Sequence, residues 1–130
     1  MTKQILVVDD DAQTRALVKM VLQRSGFQTL EAFDGQSALR LLEFSTPDLL
    51  IVDMMMPGID GLELCRCLRS RRPTIETPII VFTAVTSSRL DKAAREAGAN
   101  EFLPKTSPPR ELTATVQRLL GVTTTASVLR

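Results

Sequence analysis

The sequence predicts an α/β fold built on one open parallel sheet. Short apolar runs rich in β-branched residues alternate with amphipathic helical segments along the chain. The runs show no polar alternation, which is typical of strands buried on both faces by helices. With 130 residues, the chain is about half the length that a closed eight-unit barrel needs. We therefore predict an open, doubly wound, five-stranded parallel sheet with helices on both faces.

Five runs are the predicted strands. In chain order they are residues 4–9, 28–31, 48–53, 79–83 and 101–103. The third and fourth follow Thr46-Pro47 and Thr77-Pro78, which favour extended backbone at the start of a strand. The second run is the least apolar and has no polar cluster after it, so it is the natural edge of the sheet.

Five segments between and after the strands carry apolar residues at helical spacing. Their expected core-facing residues are Ala16, Leu17, Met20 and Val21; Ala38, Leu39, Leu41 and Leu42; Leu62, Leu64, Cys65 and Leu68; Leu90, Ala93, Ala94 and Ala97; and Leu112, Val116, Leu119 and Leu120. Gly26 and Gly98 stand where left-handed C-terminal caps belong. Pro73 is expected to end the third helix, and Ser107-Pro108 to start the fifth.

The organisation indicated is a single domain over residues 1–120, followed by a polar C-terminal tail or the start of a linker at 121–130. The composition is 44% hydrophobic and 24% charged, as in a globular domain. A chain of this size can bury a core without a disulfide or a structural metal.

Composition excludes several function classes. The chain has no histidine, tyrosine or tryptophan, which excludes a Ser-His-Asp triad, a His-ligated zinc and a tyrosine general base within it. The net charge of +1 gives no case for direct nucleic-acid binding. Four clustered arginines are expected to form the solvated end of the third helix rather than a binding patch; they are Arg66, Arg69, Arg71 and Arg72.

The cysteines and the lengths of the apolar runs indicate the cellular compartment of the protein. Cys65 and Cys67 lie two apart in a helical segment and point in different directions, so they cannot pair with each other. Two free thiols favour a reducing compartment. No segment approaches the roughly 18 apolar residues of a membrane span. We expect a cytoplasmic protein without a membrane partner.

Polar side chains stand where four of the five strands end. Asp9 and Asp10 end the first, Asp53 the third and Thr83 the fourth, and Lys105 follows the fifth. Since the carboxyl ends of parallel strands meet at one edge of a sheet, these groups are expected to converge. Clustered carboxylates repel one another and demand a cation, and oxygen ligands suit Mg²⁺. An aspartate beside such an ion can act as a nucleophile toward phosphorus.

Other acidic residues have simpler explanations. Asp11 is expected at the entrance of the first helix. Asp60 with Glu63 has the spacing of a helix cap. Asp34 and Asp48 are interpreted as a turn residue and a residue preceding a strand.

The order of motifs resembles the receiver domain of two-component response regulators over residues 4 to about 120. The motifs are Val7-Val8-Asp9-Asp10, then Val52-Asp53-Met54-Met55-Met56-Pro57-Gly58-Ile59-Asp60-Gly61, then Phe82-Thr83-Ala84, and finally Phe102-Leu103-Pro104-Lys105. The resemblance implies the flavodoxin-like strand order 2-1-3-4-5. The protein would then be a signalling domain rather than an enzyme that turns over a substrate.

The resemblance also implies roles for individual residues. Asp53 would accept the phosphoryl group. Mg²⁺ would be bound by Asp53, Asp10, Asp9 directly or through water, and the backbone carbonyl of Met55. The phosphoryl oxygens would be bound by Thr83, Lys105 and the Ala84 amide.

The partners implied are a sensor histidine kinase or phosphotransfer protein as donor, and an effector or output domain downstream. Phosphorylation would couple Thr83 to Phe102 and change the surface formed by residues 87–120. A second copy of the chain is a further candidate partner for that surface.

The sequence departs from the family in two places. Thr106 follows Lys105 where proline is usual, so we expect a trans peptide bond and an altered loop. Phe102 replaces the commoner tyrosine. The altered loop motivates one alternative, a receiver-like scaffold that acts without phosphorylation.

Two further alternatives are weaker. A phosphohydrolase of the haloacid-dehalogenase type would need Asp-x-Asp, and Met55 occupies the second position. A nucleotide- or flavin-binding domain would need a glycine-rich phosphate loop, which the sequence lacks.

Overall fold

The structure of the protein is a computed structural model that describes residues 2–122. The strands are β1 (Gln4–Val8), β2 (Gln28–Ala32), β3 (Leu49–Val52), β4 (Ile79–Thr83) and β5 (Glu101–Pro104). The helices are α1 (Ala12–Arg24), α2 (Gly35–Leu41), α3 (Gly61–Arg69), α4 (Ser88–Glu96) and α5 (Pro109–Leu120). Residues 123–130 of the predicted tail lie outside the described residues.

The five strands form one parallel sheet in the order β2-β1-β3-β4-β5. This order and the all-parallel pairing confirm the predicted doubly wound fold, with β2 at one edge. The central strands β1, β3 and β4 consist almost entirely of buried apolar residues. Because helices cover both faces, these strands need no polar side.

The core has two layers, one on each face of the sheet. One layer packs α2, α3 and α4 against side chains such as Leu6, Leu50 and Val81. The other packs α1 and α5 against Ile5, Ile51 and their neighbours. Side chains alternate between the layers along each strand, as the pleat requires.

Aspartates cap three of the helices. The Asp11 side chain accepts a hydrogen bond from the Gln13 amide at the start of α1, and Asp60 accepts one from Glu63 at the start of α3. Both caps confirm the predictions. Asp34, predicted only as a turn residue, is the N-cap of α2 and forms a reciprocal capping box with Ser37.

The predicted buried face of α1 is wrong. Leu17 and Met20 are 54% and 43% exposed, while Val18 and Leu22 are buried. Both pairs have helical spacing, because α1 carries apolar residues around much of its circumference. The packing of α1 against the sheet buries the face that carries Val18 and Leu22.

Pro73 does not end α3, contrary to the prediction. The helix stops at Arg69, and Pro73 lies in a separate 3₁₀ turn at Arg72–Thr74. Arg69 is also not a solvated cation. Its guanidinium donates to the carbonyls of Gly98, Thr74 and Ile75 and to the Asn100 side chain, which ties the end of α3 to neighbouring loops.

The predictions for Gly26, Gly98 and the two cysteines are confirmed. Gly26 and Gly98 follow α1 and α4 with φ of +91° and +115°, the left-handed conformation expected after a helix.

Cys65 and Cys67 are both free, and burial raises the pKa of the Cys65 thiol to about 11. Within residues 2–122, no helix is long and apolar enough to span a membrane.

Candidate functional site

Asp9 and Asp10 leave the carboxyl end of β1 at the centre of the sheet. The Asp9 amide donates to the Ala32 carbonyl at 3.1 Å, which continues the pairing with β2 by one residue. Asp9 is 2% exposed, and its Oδ1 accepts from the Asp11 amide at 2.8 Å. Asp10 is exposed. One carboxylate is therefore buried at the floor of the site and the next faces solvent.

Asp53 follows β3, the strand beside β1. Its amide donates to the Val8 carbonyl at 2.9 Å, and the residue is buried. A Cβ atom on Gly61 would lie 2.5 Å from the Asp53 carbonyl oxygen and 2.7 Å from the Met54 Cα. Only glycine allows the start of α3 to pack this closely against the backbone that carries Asp53.

The backbone two residues after Asp53 contacts the Asp53 carboxylate. The Met55 amide donates to Asp53 Oδ1 over 3.4 Å. The Met55 side chain is 58% exposed, whereas those of Met54 and Met56 are buried. The polar backbone of residue 55 thus lies beside the carboxylate while its apolar side chain points to solvent.

Strands β4 and β5 bring the hydroxyl and the amine to the same edge. Thr83 is fully buried, and its Oγ1 accepts from the Val85 amide at 3.3 Å. The Lys105 amide donates to the Thr83 carbonyl at 2.9 Å, which fixes where the lysine side chain starts. Ala84, the residue after β4, is exposed.

Lys105 reaches both buried carboxylates. Its Nζ lies 2.7 Å from Asp9 Oδ2 and 3.4 Å from Asp53 Oδ2. Among residues 2–122 no peptide bond is cis, so the bond before Thr106 is trans, as predicted. Thr106 therefore leaves the Lys105 amine within reach of both carboxylates.

The three carboxylates form an oxygen-only cluster. One side-chain oxygen from each of Asp9, Asp10 and Asp53 lies within 4.8 Å of the others. This spacing matches the prediction that residues distant in sequence meet at one edge. Carboxylate oxygens without sulfur or imidazole suit a hard divalent cation such as Mg²⁺.

The electrostatics of the cluster favour a bound cation. Burial, followed by the nearby charge of Asp9, raises the pKa of the Asp53 carboxyl above its ordinary value. Burial alone would lower the pKa of Lys105, but its hydrogen bond with Asp9 and the charges of both aspartates more than offset this and raise it. A cation would relieve the repulsion that remains between the carboxylates.

Thr83 and Phe102 lie on the same face of the sheet. In the register of β4 with β5, Phe102 is opposite Val81 and Thr83 is opposite Pro104. The two side chains are therefore diagonal neighbours on the face covered by α4. Phe102 is half-buried and lines an open groove with Ser87, Asp91 and Pro104.

Arg15, which was not among the predicted site residues, contacts the turn that carries Asp9 and Asp10. Its Nη1 donates to the Asp9 carbonyl at 2.7 Å, and its Nε bonds Glu31 on β2. The sequence gives no sign of this contact, because the acceptor at Asp9 is a backbone carbonyl.

Comparison with known proteins settles the family. The sequence matches the family described as "Response regulator receiver domain" over residues 5–117, which is most of the chain. The chain belongs to the response regulator receiver domain family. This receiver domain is 39% identical over 121 residues to the alkaline phosphatase synthesis transcriptional regulatory protein PhoP of Bacillus subtilis, and 42% identical over 120 residues to the response regulator MprA of Mycobacterium bovis.

The match covers 92% of this receiver domain in both cases, but 49% of PhoP and 51% of MprA. The chain thus spans about half the length of these curated relatives.

Solved structures give the same fold. The receiver domain superimposes on the chemotaxis response regulator CheY4 of Vibrio cholerae with a TM-score of 0.87 at 32% identity, covering 92% of this chain and 100% of that one. The BeF₃-activated receiver domain of Klebsiella pneumoniae RstA matches with a TM-score of 0.85 at 30% identity, covering 91% and 98%. The flavodoxin-like architecture implied by the resemblance is confirmed.

Proposed function

We propose that this receiver domain accepts a phosphoryl group on Asp53 in a reaction that depends on Mg²⁺. The observation that carries the proposal is the position of the Asp53 carboxylate, which lies buried between two further aspartates and the Lys105 amine. We take residues 1–120 as the unit that performs this reaction and 121–130 as a tail or linker.

The residues present fit a magnesium ion. Asp9, Asp10 and Asp53 would hold it with their carboxylates, and the Met55 backbone beside Asp53 would add a carbonyl. When bound, Mg²⁺ supplies positive charge that neutralises the carboxylates and the oxygens of a transferring phosphoryl group.

Asp53 is the nucleophile of the proposed reaction. One carboxylate oxygen forms a bond to phosphorus while the P–N bond of a donor phosphohistidine breaks, and the electron pair of that bond returns to the imidazole nitrogen. The product is an acyl phosphate on Asp53. The carboxylate must be ionised, so the transfer needs no proton from Asp53.

Three groups at the carboxyl ends of β4 and β5 would position the phosphoryl group. The Lys105 ammonium provides a point charge beside Asp53, and the Thr83 hydroxyl and the Ala84 amide are donors to phosphoryl oxygens. Catalysis of this transfer requires mainly positioning and charge neutralisation, which these groups supply.

Signalling would follow from a rearrangement of Thr83 and Phe102. Movement of the Thr83 side chain toward a phosphoryl oxygen would separate its Oγ1 from the Val85 amide that donates to it, and the half-buried Phe102 ring would turn inward. The surface affected comprises α4, β5 and α5 within residues 87–120. On this surface, Arg95 of α4 and Arg118 of α5 both form ion pairs with Glu101 of β5, so the three elements are connected.

The proposed partners are a histidine kinase or phosphotransfer protein as donor, and an effector, an output domain or a second copy of the chain at the 87–120 surface. PhoP is named as a transcriptional regulatory protein, which supports an output domain as one of these. The receiver domain would catalyse its own phosphorylation and the hydrolysis of the acyl phosphate, without turning over a separate substrate.

Intact-mass spectrometry tests the proposal. The protein is incubated with acetyl phosphate in the presence and absence of Mg²⁺, alongside Asp53→Asn and the control Asp48→Asn. We expect one phosphoryl adduct on the wild type and on the control with Mg²⁺, and none on Asp53→Asn. An undiminished adduct on Asp53→Asn, or none on the wild type, would contradict it.

A further inference from the structure

Arg15 connects the edge of the sheet to the turn that carries Asp9 and Asp10. Its Nη1 donates to the Asp9 carbonyl oxygen at 2.7 Å, and its Nε donates to Glu31 Oε1 at 2.9 Å. The side chain is only 17% exposed. The planar guanidinium can make both bonds at once because its donors are held in a fixed fork.

The Asp9 carbonyl determines how Asp10 is presented. It belongs to the peptide plane that joins Asp9 to Asp10, so fixing the oxygen fixes the rotation of that plane. The other hydrogen bonds of Asp9 do not involve this carbonyl oxygen. The Asp9 amide donates to the Ala32 carbonyl, and the Asp9 side chain accepts from the Asp11 amide. Losing the Arg15 bond would let the plane rotate and move the Asp10 carboxylate relative to Asp53.

Glu31 holds Arg15 in place. It lies on β2 opposite Val7 of β1. Hydrogen bonds from Lys19 and Arg15 lower the pKa of its carboxyl, which keeps it ionised as their partner at neutral pH. Lys19 shares Glu31 with Arg15, but within residues 2–122 its ammonium bonds Glu31 and does not reach the Asp9 backbone.

We propose that Arg15 is a positioning residue for the cation site: it fixes the Asp9–Asp10 peptide so that both carboxylates face Asp53, and Glu31 fixes Arg15. This role rests on the proposed function, because it concerns the cation that the three carboxylates would bind. The positioning role distinguishes Arg15 from Lys19, which is an ordinary surface ion-pair partner of Glu31.

Mn²⁺ binding measured by electron paramagnetic resonance tests this role without relying on phosphorylation. The wild type is compared with Arg15→Met and with the matched control Lys19→Met, which also loses a cation paired with Glu31. We expect Arg15→Met to weaken Mn²⁺ binding roughly tenfold, a typical effect of groups that orient metal ligands. Lys19→Met should change it by less than about twofold.

A second readout uses the metal-free protein. Amide hydrogen exchange measured by NMR should become faster at Asp10 and Asp11 in Arg15→Met and stay unchanged in Lys19→Met. If circular dichroism shows that Arg15→Met does not fold, Arg15→Lys replaces it in both experiments. The lysine ammonium lacks the forked donors that bond Asp9 and Glu31 together, so this variant should also bind Mn²⁺ more weakly than the wild type.

The outcomes separate the two proposals. Equal Mn²⁺ affinities for wild type, Arg15→Met and Arg15→Lys would overturn the role of Arg15 and leave the cation site intact. Equal losses in Arg15→Met and Lys19→Met would also overturn it, since both would then act through net charge. A wild type that binds no Mn²⁺ would overturn the cation site itself and this role with it.

Discussion

Lys105 pairs more closely with Asp9 than with Asp53. The Nζ atom lies 2.7 Å from an Asp9 oxygen and 3.4 Å from an Asp53 oxygen. In this arrangement the lysine is the cation that compensates two buried carboxylates, so the same amine that would bind a phosphoryl oxygen also stabilises the unphosphorylated protein.

Replacing this amine should destabilise the metal-free protein. We expect Lys105→Met to lower the free energy of unfolding by about 2 kcal/mol, less than for a fully buried pair because a fifth of the lysine side chain is exposed. Urea unfolding without and with Mg²⁺ measures this, and the ion should restore part of the loss. Lys92→Met, an exposed position on α4, is the control, and an equal loss there would contradict the prediction.

Removing the charge of Asp53 should have the opposite effect. Because burial and Asp9 raise the pKa of the Asp53 carboxyl, its ionised form disfavours folding at neutral pH. We expect Asp53→Asn to gain on the order of 1 kcal/mol in unfolding free energy without Mg²⁺ at pH 7. Protonation removes this cost, so the gain should shrink as the pH falls through the raised pKa.

Urea unfolding at a series of pH values measures this gain. The exposed Glu76→Gln controls for the loss of one negative charge. A less stable Asp53→Asn variant at neutral pH would show that the carboxylate is instead a net stabilising partner of Lys105.

The Thr83 hydroxyl should matter for the response more than for the fold. Thr83→Val keeps the buried shape but loses the hydroxyl that accepts from the Val85 amide. We expect beryllofluoride with Mg²⁺ to shift amide resonances across residues 87–120 in the wild type, and most of these shifts to disappear in the variant. Thr86→Val, in the exposed loop before α4, should respond as the wild type does. Full shifts in Thr83→Val would refute the proposed coupling.

Arg69 should contribute to stability and not to phosphorylation. Its guanidinium bonds three backbone carbonyls and the Asn100 side chain, and these acceptors would lose their donor in Arg69→Met. We expect a loss of about 1–3 kcal/mol in urea unfolding with an undiminished phosphoryl adduct. The exposed Arg66→Met on the same helix should stay within about 0.5 kcal/mol of the wild type.

The fold was predictable because its strands carry a strong local signal. The apolar runs that became β1, β3 and β4 are buried on both faces, so their composition alone distinguished them from half-exposed strands. The face of α1 was not predictable in the same way. Leu17 with Met20 and Val18 with Leu22 both fit a helical period, and the choice between them depends on tertiary packing.

The site was predictable where it follows from topology. Asp9, Asp10, Asp53, Thr83 and Lys105 converge because parallel strands end at one edge. Which carboxylate Lys105 contacts more closely was not predictable, since it depends on side-chain distances of a few tenths of an ångström. The structural roles of Arg15 and Arg69 were missed because each bonds backbone carbonyls, which a sequence pattern does not show.

The central claim is that Asp53 is the residue that becomes phosphorylated, and reductive trapping tests it most directly. The protein is treated with acetyl phosphate and Mg²⁺, any acyl phosphate is reduced with borohydride, and peptides are sequenced by mass spectrometry. We predict reduction at residue 53 alone, and only when Mg²⁺ is present. Reduction at another carboxylate, such as Asp10, or an unmodified Asp53 in a sample that carries the phosphoryl mass, would contradict the account.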